Sequence, residues 1–418
     1  MNKEALMSQK KFNLREGLVF ALIMSGFFFV LYLILKIKSY AALNVDTLSD
    51  EDIAVIKHSI RYVVVISGLV IGGIMGAVVQ RSKFCIATAC HSVVISKDYT
   101  QTRAYAMALF VAILGTQILY KTGQVDISRS IYVSFPFTWL SYIIGGFTFG
   151  VGIVYAGGCA SRILVRAGEG NLGGLVSVMA FIFASGATLW GITAKLRVDY
   201  LNKLTIDLHD QYLPNIAHGI PFWAILIVIE IILLLFMLKS PKDSAWRGWR
   251  WPMAGVVIGL TIISAWWING EAFRTIPLID TFSFTGPNDP TLLQTWRPKS
   301  LTFALADAQT YRYIMLWTGE SINFAIATVL GVLGGSFISA VITGTFRLIA
   351  PPLPQFKSNL FGGTLMGFGA VVGLGCNIGQ GLSGISTLSI GSILTMTFIF
   401  IGAVAGAKFM EWYIARNI

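Results

Sequence analysis

The sequence predicts an all-α polytopic membrane protein, a reading carried by its scarcity of charge, its recurring apolar runs and a glycine-rich element that occurs twice. Of 418 residues, 55% are hydrophobic and 12% charged, where soluble domains carry roughly 25% charged residues. So few charges cannot cover a water-facing surface. Apolar runs lie near 17–35, 61–80, 104–120, 136–155, 172–192, 221–238, 252–268, 322–344, 360–375 and 386–407, each near the ~20 residues that a helix needs to cross a bilayer. No polar linker separates these ten runs, which argues a single membrane domain over 1–418. Within it, 1–60 reads as an extra N-terminal helix and loop, 61–192 as a first repeat, 193–321 as connecting helices and outer loops, and 322–407 as a second repeat.

Charge sets the expected orientation. Lys10, Lys11 and Arg15 precede the first run, and Asp46, Asp50, Glu51 and Asp52 follow it. Cytoplasmic loops carry the excess of lysine and arginine, so the N-terminus reads as cytoplasmic and, on the count of runs, so does the C-terminus. Arg81 and Lys83, Lys97 and Arg103, and Arg162 and Arg166 then return to the cytoplasmic side, while Lys36 and Lys38 fall outside and break the rule. The net charge of +11 is spread along membrane edges in ones and twos. Nucleic-acid binding, which needs a clustered basic surface, is excluded on that ground. The loops at about 193–219 and 269–313 fall outside on this count and suggest a small outer cap.

The internal repeat is the most informative feature. GGFTFGVGIVYAGGC at 145–159 aligns without gaps to GGTLMGFGAVVGLGC at 362–376, with seven of fifteen positions identical. A weaker match pairs 72–84 with 334–347, and the run 104–120 lies between the paired pieces of the first half only. One extra crossing makes the two cysteine elements enter from opposite sides, the trace of an inverted repeat. Each element runs on into a polar, glycine-rich stretch, GGCASRILVRAGEGN or GLGCNIGQGLSG. Glycine, Ser161, Asn377 and Gln380 interrupt the helical ladder there. Irregular backbone at membrane depth is tolerated only inside protein or along a water-filled cavity, so both stretches read as broken or re-entrant helices facing a pathway.

Cys159 and Cys376 recur at equivalent positions beside these breaks, which lifts them above ordinary buried packing. Cys85 ends the upstream helix beside Arg81 and Lys83, a basic setting that favours an anion. Cys90 has no repeat partner and reads as packing. A zinc or copper site is not expected, because no C-x-x-C pair is present and Cys85 and Cys90 lie five apart, off one helical face. Disulfide redox chemistry lacks the same motif, and a haem-coupled enzyme would need histidines beyond His58, His91, His209 and His218. Arg162 and Arg166, four apart, share a helical face and read either as positive-inside anchors or as a gate for an anion. Glu230, inside an apolar run, reads as a coupling site or as packing against a basic partner.

The strings QRSKFC, GGCASR…LVRAGEGNLGG and GLGCNIGQGLSG resemble the YeeE/YedE membrane proteins, bacterial sulfur-compound transporters whose characterised members take up thiosulfate. The resemblance implies a multi-pass inner-membrane permease, not an enzyme and without a cofactor, in which Cys85, Cys159 and Cys376 line the route. Arg81, Lys83, Ser161, Arg162, Arg166, Asn377 and Gln380 are the further candidates for substrate contact or gating. It also implies a small soluble sulfur carrier of the TusA type as a partner. The greater length, the extra first helix and the AGEGN string depart from the shorter thiosulfate permeases, and some long relatives are associated with selenium. Two alternatives therefore stand beside thiosulfate uptake: a selenium-compound permease, and a membrane thiol protein that hands sulfur to the carrier. For a permease the physical requirement is plain. A sulfur anion carries hard oxygens and a soft terminal sulfur, and entering a low-dielectric pore uncompensated is prohibitive. Protonated thiols and helix N-termini supply the compensation.

Overall fold

The structure, a computed structural model, describes residues 14–41, 49–134, 136–206, 208, 210–217, 219–238, 250–279, 297–316 and 321–417. Lys10, Lys11, Asp46, His209, His218 and residues 280–296 of the expected outer loop at 269–313 lie outside them. Among the described residues there is no strand, only isolated bridges between loops. The helices in chain order are α1 (Leu14–Ala41), α2 (Asp50–Ser82), α3 (Ile86–His91), α4 (Thr100–Lys121), α5 (Trp139–Tyr155), α6 (Ala160–Gly168) and α7 (Leu172–Leu189). They continue as α8 (Phe222–Leu238), α9 (Arg250–Ile279), α10 (Phe303–Met315), α11 (Phe324–Thr343), α12 (Leu353–Val372) and α13 (Ile390–Asn417). Among the described residues eight spans are long and apolar enough to cross a bilayer, with α8 a shorter apolar helix beside them.

Local chemistry places the helix ends. The α2 helix begins well before its apolar run because Ser49 and Asp52 close a capping box, each side chain satisfying the other's backbone N–H. Asn171 and Asn323 cap α7 and α11 in the same way, by accepting backbone N–H groups of the first turn. Pro352 and Pro354 open α12, where a missing N–H costs nothing.

Small residues let the long helices touch backbone to backbone. The α2 and α11 helices form one such pair: a Cβ on Gly72 or Gly76 would strike the carbonyl of Thr328 or Val332, and one on Gly331 or Gly335 would strike Leu69 or Gly73. The upstream pieces matched in sequence, 72–84 and 334–347, thus lie largely on two helices packed against each other. Around them α4 packs on α9, α5 on α12 and α13, and α7 on α12. By contrast α1 is peripheral, and an apolar cavity of about 380 Å³ between it, α2 and α11, lined by Val19, Gly26, Gly73 and Ile338 among others, carries no cysteine.

Loop contacts tie the two ends of the bundle. At one end Arg347 N donates to Glu169 O at 3.1 Å and Leu172 N to Ile349 O at 3.0 Å. At the other, Leu213 N donates to Leu388 O and Ile390 N to Gln211 O, both at 3.0 Å. Two expectations change. The stretch 269–313 is not simply an outer loop: α9 runs through its first residues, and α10 is a buried helix packed on α7 and α11. Lys38, the exception to the charge rule, lies 3.6 Å from the fully buried Glu271 of α9 and over the ring of Trp267. An ion pair, not loop topology, accounts for its position.

Candidate functional site

Four times among the described residues an irregular link leads into a short helical piece and then another long helix, the third link being described from residue 297. The links end on Cys85, Cys159, Thr302 and Cys376. The first forms because Lys83 adopts the left-handed conformation (φ 55°) that stops α2 after Ser82. Ser82 Oγ donates to Val78 O and accepts from Phe84 N, which turns the chain so that Cys85 sits extended at the N-cap of α3. At the second, Gly157 and Gly158 take positive φ after α5, and Cys159 becomes the N-cap of α6. A Cβ on Gly157 would collide with the guanidinium of Arg166. That guanidinium donates to the carbonyls of Ala156 at 3.1 Å and Gly157 at 2.9 Å, so Arg166 caps the end of α5.

These two links bring Cys85 and Cys159 together, with sulfurs 3.6 Å apart and both side chains buried. Ser161 Oγ lies 3.3 Å from the Cys159 sulfur. At the fourth link Leu374 turns left-handed, and the Cys376 sulfur accepts from the backbone N–H of Gly379 and of Phe303, each at 3.4 Å. Phe303 is the first residue of α10, so the third link reaches the fourth through this contact. All four cysteines are free thiols. Among the described residues no group of three or more His, Cys, Asp or Glu side chains is placed to hold a metal.

The remaining sequence candidates separate by what they touch. Arg81 is 2.6 Å from Glu16 of α1 and is occupied there, while the side chain of Lys83 is exposed at the turn. Arg162 reaches Glu169 at 3.5 Å. Gln380 is a bracket, donating to Gly373 O at 2.8 Å and accepting from Ser392 Oγ at 2.5 Å. Asn377 is fully buried, and neither its amide nitrogen nor its amide oxygen has a partner. Glu230 is half-buried on α8, with both carboxylate oxygens unpartnered, and α8 packs chiefly on α4.

Tyr105 of α4 was not signalled by the sequence. Its ring stacks on Phe84 with centroids 5.6 Å apart, its hydroxyl donates to Asn377 O at 2.9 Å, and it lies within electrostatic reach of both Cys159 and Cys376. It therefore stands between the Cys85–Cys159 pair and Cys376. A single tyrosine in AYAMALF has no pattern that would set it apart. Asp307 on α10, fully buried with both oxygens unpartnered, was equally invisible.

Interrupted helices inside a bundle of apolar spans are the architecture of many multi-pass membrane transport proteins. Residues 81–405 match the model of the family described as Sulphur transport, and the chain belongs to that family, the YeeE/YedE membrane proteins. It is similar to the thiosulfate transporter TsuA of Escherichia coli (strain K12), with 28% identity over 358 residues, 81% of this chain and 92% of that one. It is also similar to the thiosulfate transporter TsuA of Spirochaeta thermophila, with 25% identity over 363 residues, 84% of this chain and 99% of that one.

Proposed function

We propose that the protein is an inner-membrane permease that takes up thiosulfate, or a closely related small sulfur anion, along a relay of protonated thiols at Cys376, Cys159 and Cys85. The observation that carries this reading is the meeting of interrupted helices at buried cysteines, with Cys85 and Cys159 3.6 Å apart and Cys376 held by two backbone N–H groups. The names of the two relatives support the substrate. A neutral thiol donates a weak S–H bond to the soft sulfur of the anion, and the exposed N–H groups of a helix start compensate its oxygens. Thiolates would repel the substrate, so the relay works with its protons on. Each site is shallow, which permits release to the next.

In this reading the segments ending on Cys85 and Cys159 enter from the cytoplasmic side and those ending on Thr302 and Cys376 from outside, and both termini of the helix bundle face the cytoplasm. The thiols are buried, so passage requires the links to part, with Tyr105 between the stations as the residue that must yield. The test is uptake of radiolabelled thiosulfate by the purified protein in liposomes. Saturable uptake, competed by thiosulfate better than by selenium oxyanions, is expected; stronger competition by the selenium compounds would reassign the substrate, and no uptake would defeat the permease.

The 3.6 Å contact of two thiols also favours one specific alternative, a covalent handover of sulfur to a TusA-type carrier. Mass spectrometry during turnover decides between them: a relay leaves Cys85 and Cys159 unmodified, whereas in a handover one cysteine takes the outer sulfur of thiosulfate, the S–S bond of the anion breaks with release of sulfite, and a persulfide remains on that cysteine.

A further inference from the structure

Thr302 occupies, in the second half of the chain, the place that Cys85 occupies in the first. The order α2, Cys85, α3, α4 is repeated by α9, Thr302, α10, α11, just as α5, Cys159, α6, α7 is repeated by α12, Cys376, the turn Gly379–Gly384 and α13. Packing follows the same exchange. The contact of α2 with α11 returns as α9 with α4, that of α5 with α13 as α12 with α7, and that of α10 with α7 as α3 with α13. The repeat is thus larger than the two glycine-rich strings disclose, and α11, not an absent helix, stands where α4 stands. In one half the two links end on touching thiols; in the other they end on a thiol and a hydroxyl.

The surroundings of that hydroxyl are unfinished. Thr302 is 7% exposed, Tyr132 3% and Asn377 0%, and the Thr302 Oγ1, the Tyr132 hydroxyl and both polar atoms of the Asn377 amide are buried without a hydrogen-bond partner. Unpaired buried polar groups cost about 1–3 kcal/mol each, so several gathered at one place point to something that completes them. They are gathered. The Tyr132 phenol faces Thr302 without closing a hydrogen bond and lies within electrostatic reach of Cys376. A Cβ on Gly379 would come within 2.5 Å of Thr302 Oγ1, and Gly379 N donates to the Cys376 sulfur. The frame around them is closed: Ser383 Oγ donates to Leu301 O, Ser389 Oγ to Tyr132 O, and Trp266, against which the Tyr132 ring packs, donates to Ser386 Oγ.

We propose that Thr302, Tyr132 and Asn377 form an oxyanion station beside Cys376, which binds the hard oxygens of a tetrahedral sulfur oxyanion while the Cys376 thiol takes its soft sulfur. This rests on the permease reading for the identity of the anion; the unpaired donors by themselves ask only for a ligand that presents acceptor oxygens. The Cys85–Cys159 pair, with two soft donors, then accepts the anion by its sulfur, so the second half holds both ends of the molecule and the first half only the soft one.

The test measures the KM of thiosulfate uptake in proteoliposomes for Thr302→Val, Thr302→Ser and Tyr132→Phe. Loss of a hydrogen bond to a charged group is worth about tenfold or more in affinity, so Thr302→Val and Tyr132→Phe are expected to raise KM about tenfold, and Thr302→Ser to restore it. Tyr132→Phe removes a hydroxyl that holds nothing in the fold, so it keeps the test decisive if Thr302→Val fails to insert. An unchanged KM in Tyr132→Phe and in any inserted Thr302→Val overturns the station. If the wild-type protein neither transports nor binds thiosulfate, the permease reading has failed, and the station is judged by equilibrium dialysis of the purified protein with radiolabelled sulfate and selenate. Binding of either anion that Tyr132→Phe weakens about tenfold sustains it; no binding, or binding that Tyr132→Phe leaves unchanged, overturns it.

Discussion

The sulfurs of Cys159 and Cys376 end the two copies of the repeat, yet their surroundings differ: one touches a thiol and a serine, the other two backbone N–H groups. Replacing either by Ala removes a donor and little volume, so uptake is expected to fall at least tenfold with the fold intact, measured as uptake against the amount of inserted protein. Serine keeps a donor and is expected to retain partial activity in at least one of the two positions, whereas Cys90→Ala should transport nearly normally. The arginines divide. Arg166 holds two carbonyls at the end of α5, and Arg166→Gln is expected to cost about 2 kcal/mol of stability, read as a lower unfolding midpoint in detergent. Arg162, whose partner is a single carboxylate at 3.5 Å, is the better gate candidate; Arg162→Gln should slow uptake with the midpoint unchanged. Cys159 and Cys376 were legible in the sequence because they repeat, and Cys85 because it follows Arg81 and Lys83. Thr302 was not, because a threonine stands where the pattern leads one to look for sulfur, and its role depends on neighbours distant in the chain.

At the scale of the helix, the long apolar runs were readable because membrane burial demands continuous hydrophobicity: each expected run falls on a long helix among the described residues, with shifted ends, and eight spans there are long and apolar enough to cross a bilayer. The early start of α2 comes from the Ser49 cap, which extends the helix through the charged stretch DEDIAVIKHSIR. What hydropathy could not disclose is the short helices: α10 reads FALADAQTYRYIM, too polar for a span, and it is buried because neighbouring helices cover it. Helix contact itself is written in glycine, and two adjacent residues on α11 show how local that writing is. A Cβ on Gly334 meets nothing within 4 Å, whereas one on Gly335 would run into the backbone of Gly73 on α2. Gly334→Ala should therefore leave the unfolding midpoint near wild type, and Gly335→Ala should force α2 and α11 apart and lower it, an overpacking cost of about 1–3 kcal/mol. Equal behaviour of the two variants would contradict the close crossing.

For the molecule as a whole, sidedness follows from which loops touch. The turn between α6 and α7 is bonded to the loop that precedes α12, through Glu169 with Arg347 and Leu172 with Ile349, so these loops share one face. The loop before α8 is bonded to the start of α13, through Leu213 with Leu388 and Gln211 with Ile390, so these share the other. The first face carries Arg162, Arg166 and Arg347, and lysine and arginine are retained on the cytoplasmic side. Because the native cysteines are all buried, a single added thiol reports position without altering the background. Asn215 and Arg347 are both exposed. In intact cells a membrane-impermeant maleimide is expected to label Asn215→Cys and to leave Arg347→Cys untouched until the membrane is permeabilised. Labelling of Arg347→Cys from outside would reverse the orientation and, with it, the direction in which the anion meets Cys376 before the Cys85–Cys159 pair; labelling of both from outside would break the shared faces that the loop contacts define, and the crossing order of the helices would have to be redrawn.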